Sequence, residues 1–366
     1  MITISLCMIV KNEEQLLARC LNSVKHLVDE IIIIDTGSTD KTKDIAYSFT
    51  DKVYDFKWTN NFADARNFAF SKATKDYQFW LDADDIFVEK DQVLFLELKE
   101  TLSLETDMVL MKYNYSVDEN NNPLFSFYRE RLVKRENNYK WNDPVHEYIE
   151  YGGNYLVSEI AVTHKRVSSS SDRNLKIYKE MVERGDYFSP RSLFYYAREL
   201  RDHEMYAEAE NYFTKFLETQ KGSSDDFVYA CLEIGKILKK QGKLDDALKA
   251  LFYSFTFDNP RAEICCEIAG VFQNKGDFKK AIYWYKFILG LEFPENDIAT
   301  TTPECWNFIP HIELAVCYDK ISDIEQAIFH NEEAGKFKIN HKSVLHNRQY
   351  FASVMEEKKT FLFKWN

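Results

Sequence analysis

The first part of the chain alternates short apolar runs with amphipathic stretches. Residues 3–10 and 30–35 are apolar and rich in β-branched side chains, as in strands covered on both faces. Between them, residues 13–27 place apolar side chains at helical spacing, and another helical pattern begins at about Lys41, after a Thr-Gly-Ser-Thr-Asp turn. Strand, helix, strand and helix in this order predict a parallel arrangement at the start of an α/β sheet.

The strand pattern continues to about residue 167. Residues 52–56 and 78–81 are predicted strands, with a predicted helix at 62–73 between them. An acidic cluster, Asp82-Ala-Asp-Asp85, follows the second of these strands. Catalytic side chains in α/β sheets gather at the carboxyl ends of the strands, which is where these carboxylates fall. Further extended segments are predicted at 108–115, 125–134 and 155–167.

The second half of the chain has a repeated helical pattern. A motif that ends in alanine stands between two apolar helical stretches four times, with its alanine at Ala209, Ala247, Ala281 and Ala327. Ala247 and Ala281 are 34 residues apart, which is the tetratricopeptide period, and the other intervals contain insertions at 221–226 and 294–303. The preceding helices carry small residues where two helices would approach closely, at Ala197, Gly235, Ala269 and Ala315.

Composition narrows the class of protein. The 366 residues are enough for two domains, and the net charge of -12, without a basic run, argues against a nucleic-acid partner. The seven cysteines form no CxxC pair, which favours reduced thiols in a cytoplasmic protein. No apolar run is long enough to span a bilayer, and the N-terminal stretch lacks the features of a signal peptide.

The glycine distribution limits how this chain can bind a phosphate. Gly37 is the only glycine in the first 151 residues, so a Walker loop and a GxGxxG fingerprint are both absent. A metal ion held by carboxylates is the remaining way to bind a charged diphosphate. Asp82 and Asp84 offer hard oxygen ligands for such an ion. A DxD triplet alone is a weak signal, because acidic turns after strands are common.

Other motifs accompany the DxD triplet in a specific order. They are IVKNE at 9–13, DTGSTD at 35–40, WTNNF at 58–62 with ARN at 65–67, WLDADD at 80–85, RLVKR at 131–135, VHE at 145–147 and VTH at 162–164. In this order and spacing they resemble glycosyltransferase family 2, over about residues 1–167. With a tetratricopeptide tail, the chain is similar to the branch that contains peptide S- and O-glycosyltransferases of glycosylated bacteriocins.

The resemblance implies a fold, a donor and a site. It implies an α/β GT-A domain with a Rossmann-like mixed sheet at 1–167, a linker or helix at 168–188, and an all-α tetratricopeptide-like domain at 189–366. The donor would be a UDP-sugar, and Mg or Mn would be held by Asp84 and His164. The residues assigned to the nucleotide sugar are Val10, Glu13, Asp35, Ser38, Arg66, Asp82 and Arg131.

An inverting transferase needs a base that takes a proton from the acceptor, and a carboxylate is the usual choice. Glu147 is the first candidate, followed by Asp143 and Asp85. The expected acceptor is a Cys, Ser or Thr side chain of a peptide or protein, and the repeats could serve an acceptor protein or join copies of this chain.

Two alternatives stay open at this point. One is a transferase that builds a cell-surface glycan, working at the inner face of the membrane, where the C-terminal residues 361–365 could touch lipid. The other is a non-catalytic tetratricopeptide scaffold that carries an inactive transferase domain. A nucleotidyltransferase is disfavoured, because it would need a glycine-rich, basic loop where Lys11-Asn-Glu13 stands.

Overall fold

The computed structural model describes residues 1–118, 123–165, 172–293 and 302–363. The chain divides into two compact units, Met1–Ser192 and Leu193–Asn366. Parts of four features named above lie outside the described residues: the last two residues of the predicted segment 155–167, the Ser-rich start of the predicted linker, the insertion at 294–303 and the C-terminal residues 361–365.

The first unit is built on a mixed sheet of eight strands in the order β3-β2-β1-β4-β7-β6-β10-β5, beside a β8-β9 ribbon. The strands are β1 Ile4–Val10, β2 Glu30–Asp35, β3 Val53–Asp55, β4 Tyr77–Trp80, β5 Asp85–Ile86, β6 Met108–Val117, β7 Pro123–Lys134, β8 Trp141–Asn142, β9 Tyr148–Ile149 and β10 Tyr155–His164. Strands β1 to β4 run parallel, whereas β7 runs antiparallel to both β4 and β6. The mixed sheet implied by the resemblance is therefore confirmed.

Helices connect the strands of this sheet or follow its last strand. They are α1 Leu17–Val24, α2 Thr42–Tyr47, α3 Phe62–Lys72, α4 Glu89–Thr101 and α5 Arg173–Arg184, with a 3-10 turn at Arg135–Asn137. Helix α1 is shorter than the predicted segment 13–27, because the chain first makes a turn in which the backbone of Leu16 and Leu17 bonds to Glu13. The sequence patterns did not predict α4, which buries two charged residues beside Phe95.

Alternation along the strands builds two cores, one on each face of the sheet. In β1, Ile4, Leu6 and Met8 pack on one face, while Cys7 packs on the other. The isoleucine run of β2 divides in the same way, with Ile33 on the first face and Ile34 on the second. A strand covered on both faces needs an unbroken apolar run, which is the pattern the sequence has here.

The second unit is helical. Its helices are α6 Pro190–Asp202, which begins in the first unit, α7 Tyr206–Glu218, α8 Ser224–Lys240, α9 Leu244–Tyr253, α10 Ala262–Asn274, α11 Phe278–Ile288, α12 Phe308–Lys320, α13 Ile324–Phe337 and α14 Lys342–Phe363, with 3-10 turns at Ser254–Thr256 and Pro303–Trp306. The four repeated motifs mark the first turns of α7, α9, α11 and α13. None of the helices in these described ranges is long and apolar enough to cross a bilayer.

The small residues of the repeats stand where helices come close together. Ala197, Ala269 and Ala315 are fully buried in the first helix of their pairs. A β-carbon added to Gly235 in α8 would lie 2.5 Å from the side chain of Leu251 in α9. The two helices of each pair can therefore pack closely because this position carries a glycine or an alanine.

Candidate active site

A cavity of about 520 Å³ opens where the parallel strands of the first unit end. The loops after β1 and β4 and the last residue of β10 contribute to its wall. Seven of the residues predicted from the sequence line it: Val10, Glu13, Arg66, Asp82, Asp84, Glu147 and His164. The carboxyl ends of the strands thus collect these side chains, as expected for an α/β sheet.

Asp35 and Ser38 do not line the cavity; they shape the loops beside it. The Asp35 carboxylate accepts hydrogen bonds from the backbone N–H groups of Gly37 and Ser38, at 3.1 and 3.0 Å. The Ser38 hydroxyl accepts one from the backbone of Asn12 at 3.0 Å, which joins the loop after β2 to the loop after β1. Gly37 has a φ of 102°, a conformation that glycine adopts without steric cost.

Arg66 connects the two carboxylates at the centre of the cavity wall. Its Nη2 donates to Asp82 at 2.7 Å and its Nε donates to Glu147 at 2.6 Å. The guanidinium lies 4.9 Å from the Trp80 ring centroid and 4.7 Å from that of Trp141, so it packs against both indoles of an edge-to-face pair. Burial alone would raise the pKa of Asp82, but Arg66, Arg131 and Arg129 together outweigh burial and keep this pKa below its usual value.

Asp84, Asp85 and His164 form a cluster at the end of β10. Nδ1 of His164 lies 3.5 Å from Asp84 Oδ1 and 3.6 Å from Asp85 Oδ1, and all three side chains offer ligand atoms within 4.8 Å of one another. The Oδ1 atom of Asp85 is buried without a hydrogen-bond partner, which is costly unless something else satisfies it. Two carboxylates and an imidazole suit a divalent cation, so the residues present fit the metal implied by the resemblance.

The electrostatics around this cluster favour a cation as well. Burial and the nearby Asp84 and Asp82 raise the pKa of Glu13 to about 7. Burial and Asp82 also raise the pKa of Asp84. Negative charge is therefore crowded on this side of the cavity, and a bound cation would relieve it.

Arg131 lies beneath the cavity and is not part of its wall. Its side chain and that of Asp85 are both fully buried, with Nη1 of Arg131 3.0 Å from Oδ2 of Asp85. The guanidinium lies 3.8 Å from the Trp80 ring centroid and 4.5 Å from that of Tyr113. In this position Arg131 bonds to the DxD turn and does not line the cavity.

The three candidate bases occupy different environments. Glu147 faces the cavity, and its Oε2 makes no hydrogen bond to any of the described residues. Asp85 is fully buried against Arg131. Asp143 does not line the cavity; its Oδ2 accepts a hydrogen bond from Ser189 at 2.8 Å. The geometry therefore favours Glu147 over the other two.

Several lining residues were not assigned from the sequence. Trp58 and Phe62 belong to a motif already quoted, and His146 precedes the candidate base. Arg173 and Asn174 enter the wall from the first turn of α5. Nothing in the local sequence could place them there, because their position depends on how α5 returns to the sheet.

The comparison with protein families agrees with the fold and the cavity. Residues 5–153 match the family model described as "Glycosyl transferase family 2". The first unit therefore carries a glycosyltransferase family 2 domain, and the resemblance seen in the sequence motifs is confirmed.

Curated proteins are similar in sequence to large parts of this chain. A TPR repeat-containing protein of Synechococcus elongatus is 27% identical over 293 residues, which cover 79% of this chain and 66% of that protein. The SPbeta prophage-derived glycosyltransferase SunS of Bacillus subtilis is 30% identical over 238 residues, which cover 61% of this chain and 55% of SunS. The chain thus spans between about half and two thirds of the length of these curated relatives.

Solved structures resemble the helical half. The C-terminal part of a TPR repeat-containing protein from Cytophaga hutchinsonii aligns with a TM-score of 0.40 at 20% identity, covering 50% of this chain and 66% of that chain. YrrB, described as a TPR protein with an unusual peptide-binding site, aligns with a TM-score of 0.38 at 20% identity, covering 49% of this chain and 83% of its own.

Proposed function

We propose that the first unit is an inverting, metal-dependent glycosyltransferase that moves a hexose or N-acetylhexosamine from a UDP-sugar to an acceptor. The observation that carries this proposal is the single cavity that gathers Asp82, Asp84, His164, Arg66 and Glu147 at the carboxyl ends of the strands. The family 2 match over residues 5–153 supports glycosyl transfer as the reaction class.

Asp84 and His164, with Asp85 behind them, would hold Mg²⁺ or Mn²⁺. A cation bound there supplies Lewis-acid assistance by neutralising the charge of the leaving diphosphate. Asp82 keeps a partly exposed carboxylate that can accept hydrogen bonds from the donor ribose, and Arg66 fixes its orientation. Val10 and Glu13 in the cavity wall complete the nucleotide site.

Glu147 is the proposed base. One of its oxygens is fixed by Arg66, and Oε2 is left to take a proton. The acceptor O–H or S–H gives this proton to Glu147 as its O or S bonds to the anomeric carbon. The bond from that carbon to the diphosphate breaks at the same time, and UDP leaves with the electron pair, which inverts the anomeric centre.

The proposed acceptor is a Cys, Ser or Thr side chain of a peptide or protein, with the hydroxyl of a surface glycan as the alternative. The paired helices of the second unit support a protein acceptor, because stacked helix pairs commonly bind extended peptides. We place the reaction in the cytoplasm, since all seven cysteines are free thiols.

The test measures release of UDP from UDP-glucose, UDP-N-acetylglucosamine and UDP-galactose, with Mn²⁺, Mg²⁺ or EDTA. We expect metal-dependent release from at least one donor and about a 100-fold loss in Asp84→Asn, since the variant weakens charge stabilisation of the leaving group. Asp51→Asn, at an exposed turn, is the matched control and should behave as wild type. No release from any donor, together with no thermal shift on adding UDP, would overturn the proposal.

A further inference from the structure

The loop that carries Glu147 has an unusual backbone. It connects the short strands β8 and β9, and two of its residues have left-handed conformations, Asp143 with a φ of 65° and His146 with a φ of 54°. Each such conformation in a non-glycine residue costs about 1 kcal/mol or more. Such a loop keeps its shape only where its surroundings hold it.

Two residues next to the start of α6 contact this loop. The Ser189 hydroxyl donates to Oδ2 of Asp143 at 2.8 Å and accepts a hydrogen bond from the backbone of Ser192 at 3.0 Å. Nε of Arg191 donates to the carbonyl oxygen of His146 at 3.1 Å. Both left-handed residues of the loop are therefore bound by residues that lie about 45 positions further along the chain.

The surroundings of Asp143 and Tyr148 indicate that Ser189 and Arg191 restrain the loop. Burial raises the pKa of Asp143, and the hydrogen bond from Ser189 opposes that rise, so the bond is made in a poorly hydrated place. The Arg191 guanidinium lies 4.9 Å from the centroid of the Tyr148 ring, which directly follows Glu147. Arg191 thus contacts the chain on both sides of the candidate base, at the carbonyl of His146 and at Tyr148.

The opposite side of the loop is held by the sheet and by α3. The backbone of Phe62 donates to the carbonyl of Pro144 at 2.9 Å, and Nη2 of Arg129 approaches the carbonyl of Glu147 at 3.4 Å. These contacts hold Pro144 and Glu147, whereas Ser189 and Arg191 hold Asp143 and His146.

We propose that Ser189 and Arg191 form a clasp that positions Glu147 for proton transfer. This inference rests on the proposed function, because it assigns the clasp to the base of that reaction. The clasp residues are positioning residues, since neither touches the donor site. They lie beyond residue 167, so the candidate catalytic unit extends through the start of α6, in agreement with the compact unit Met1–Ser192.

The experiment compares Ser189→Ala, Arg191→Met and Arg191→Lys in the full chain. Arg198→Met is the matched control, because Arg198 lies in the same helix with its guanidinium 5.1 to 5.6 Å from three aromatic ring centroids. UDP release gives kcat and the KM for the UDP-sugar, and hydrogen–deuterium exchange is measured on peptides covering residues 140–149.

We expect Arg191→Met to lower kcat about 10- to 100-fold, as for a misplaced catalytic group, with the donor KM changed less than about twofold. Arg191→Lys should recover part of that loss, because lysine can still donate to His146. Exchange should rise at 140–149 in Arg191→Met and Ser189→Ala, and stay unchanged there in Arg198→Met.

The outcomes separate the clasp from the reaction itself. If wild type releases no UDP, the proposed function fails, and exchange at 140–149 still decides whether the clasp holds the loop. Unchanged exchange in both Ser189→Ala and Arg191→Met would refute the clasp. Raised exchange with an unchanged kcat would show that the loop is held for stability and would overturn the positioning role.

Discussion

Replacing Arg131 tests whether this residue belongs to the donor site or to the core. The resemblance assigned Arg131 to the nucleotide sugar, whereas the structure buries it completely against Asp85. Nη1 also donates to the carbonyl oxygen of Trp80 at 3.2 Å, and Oδ2 of Asp85 accepts from the backbone of Asp82 at 3.1 Å. The pair therefore ties β7 to the turn that presents the DxD carboxylates.

The expected loss can be worked from these contacts. Removing one partner of a buried ion pair costs about 3–5 kcal/mol. Loss of the contacts with Trp80 and Tyr113 adds about 1–2 kcal/mol, and the buried methionine of Arg131→Met recovers a similar amount. We expect Arg131→Met to lower the free energy of unfolding of the first unit by about 4 kcal/mol, and Asp85→Asn by about 3 kcal/mol.

The assay has to follow the first unit alone, because a chain of two units need not unfold in one step. Hydrogen exchange in increasing urea, measured on peptides from β1 and β4, gives that free energy. In the double variant Arg131→Met/Asp85→Asn the loss should be about 4–5 kcal/mol, less than the sum of the single losses, because the two charges disappear together. If Arg131→Met lowered the free energy of unfolding by less than about 1 kcal/mol and raised the donor KM tenfold, this reasoning would be refuted. Arg131 would then be a residue of the donor site.

Further predictions concern the second unit. Gly235→Ala should destabilise it by about 1–3 kcal/mol in thermal or urea melts, because the new β-carbon would lie 2.5 Å from Leu251. Gly270→Ala should stabilise it by up to about 1 kcal/mol, because the new β-carbon would meet only Lys239 Nζ, at an ordinary contact distance of 3.5 Å. Equal effects of the two substitutions would contradict the packing argument. His330 and His311 lie with their Nδ1 atoms 3.0 Å apart, and burial, with His311 adding to it, lowers the pKa of His330 to about 4. Because this folded-state pKa is below the unfolded value of about 6.5, stability of about 2–3 kcal/mol that is present above pH 6.5 should be lost as the pH falls toward 4. Melting curves across this range should show the loss in wild type and a smaller one in His330→Phe.

Local patterns in the sequence predicted most of the elements. Strand β2 has the predicted bounds 30–35, and α3 ends one residue before the predicted 73. The second helices of the repeats begin at the four repeated motifs. These elements were predictable because a pattern in the sequence determines each of them. The pattern is a β-branched run for the strand, helical spacing for α3 and a fixed period for the repeats.

Contacts between distant parts of the chain were not predictable in the same way. Asp85 and Arg131 are 46 residues apart, and so are Asp143 and Ser189. The carboxylates of Asp85 and Asp143 were candidate bases, and only the structure shows that each is bound by another side chain. Helix α4 was missed for a related reason, because its buried face includes charged residues whose partners lie on other elements.

The distribution of arginines separates two kinds of carboxylate in the site. Three carboxylates are each bound by an arginine, either Arg66 or Arg131: Asp82, Glu147 and Asp85. Two others in the cavity wall, Glu13 and Asp84, have raised pKa values, because they are buried near each other and near further acids. The arginine-bound carboxylates are held in place at fixed geometry, while the remaining two carry the charge that a divalent cation can neutralise. A DxD motif alone does not distinguish its two acids; in the structure, Asp82 accepts a hydrogen bond from Arg66, whereas Asp84 lies beside His164.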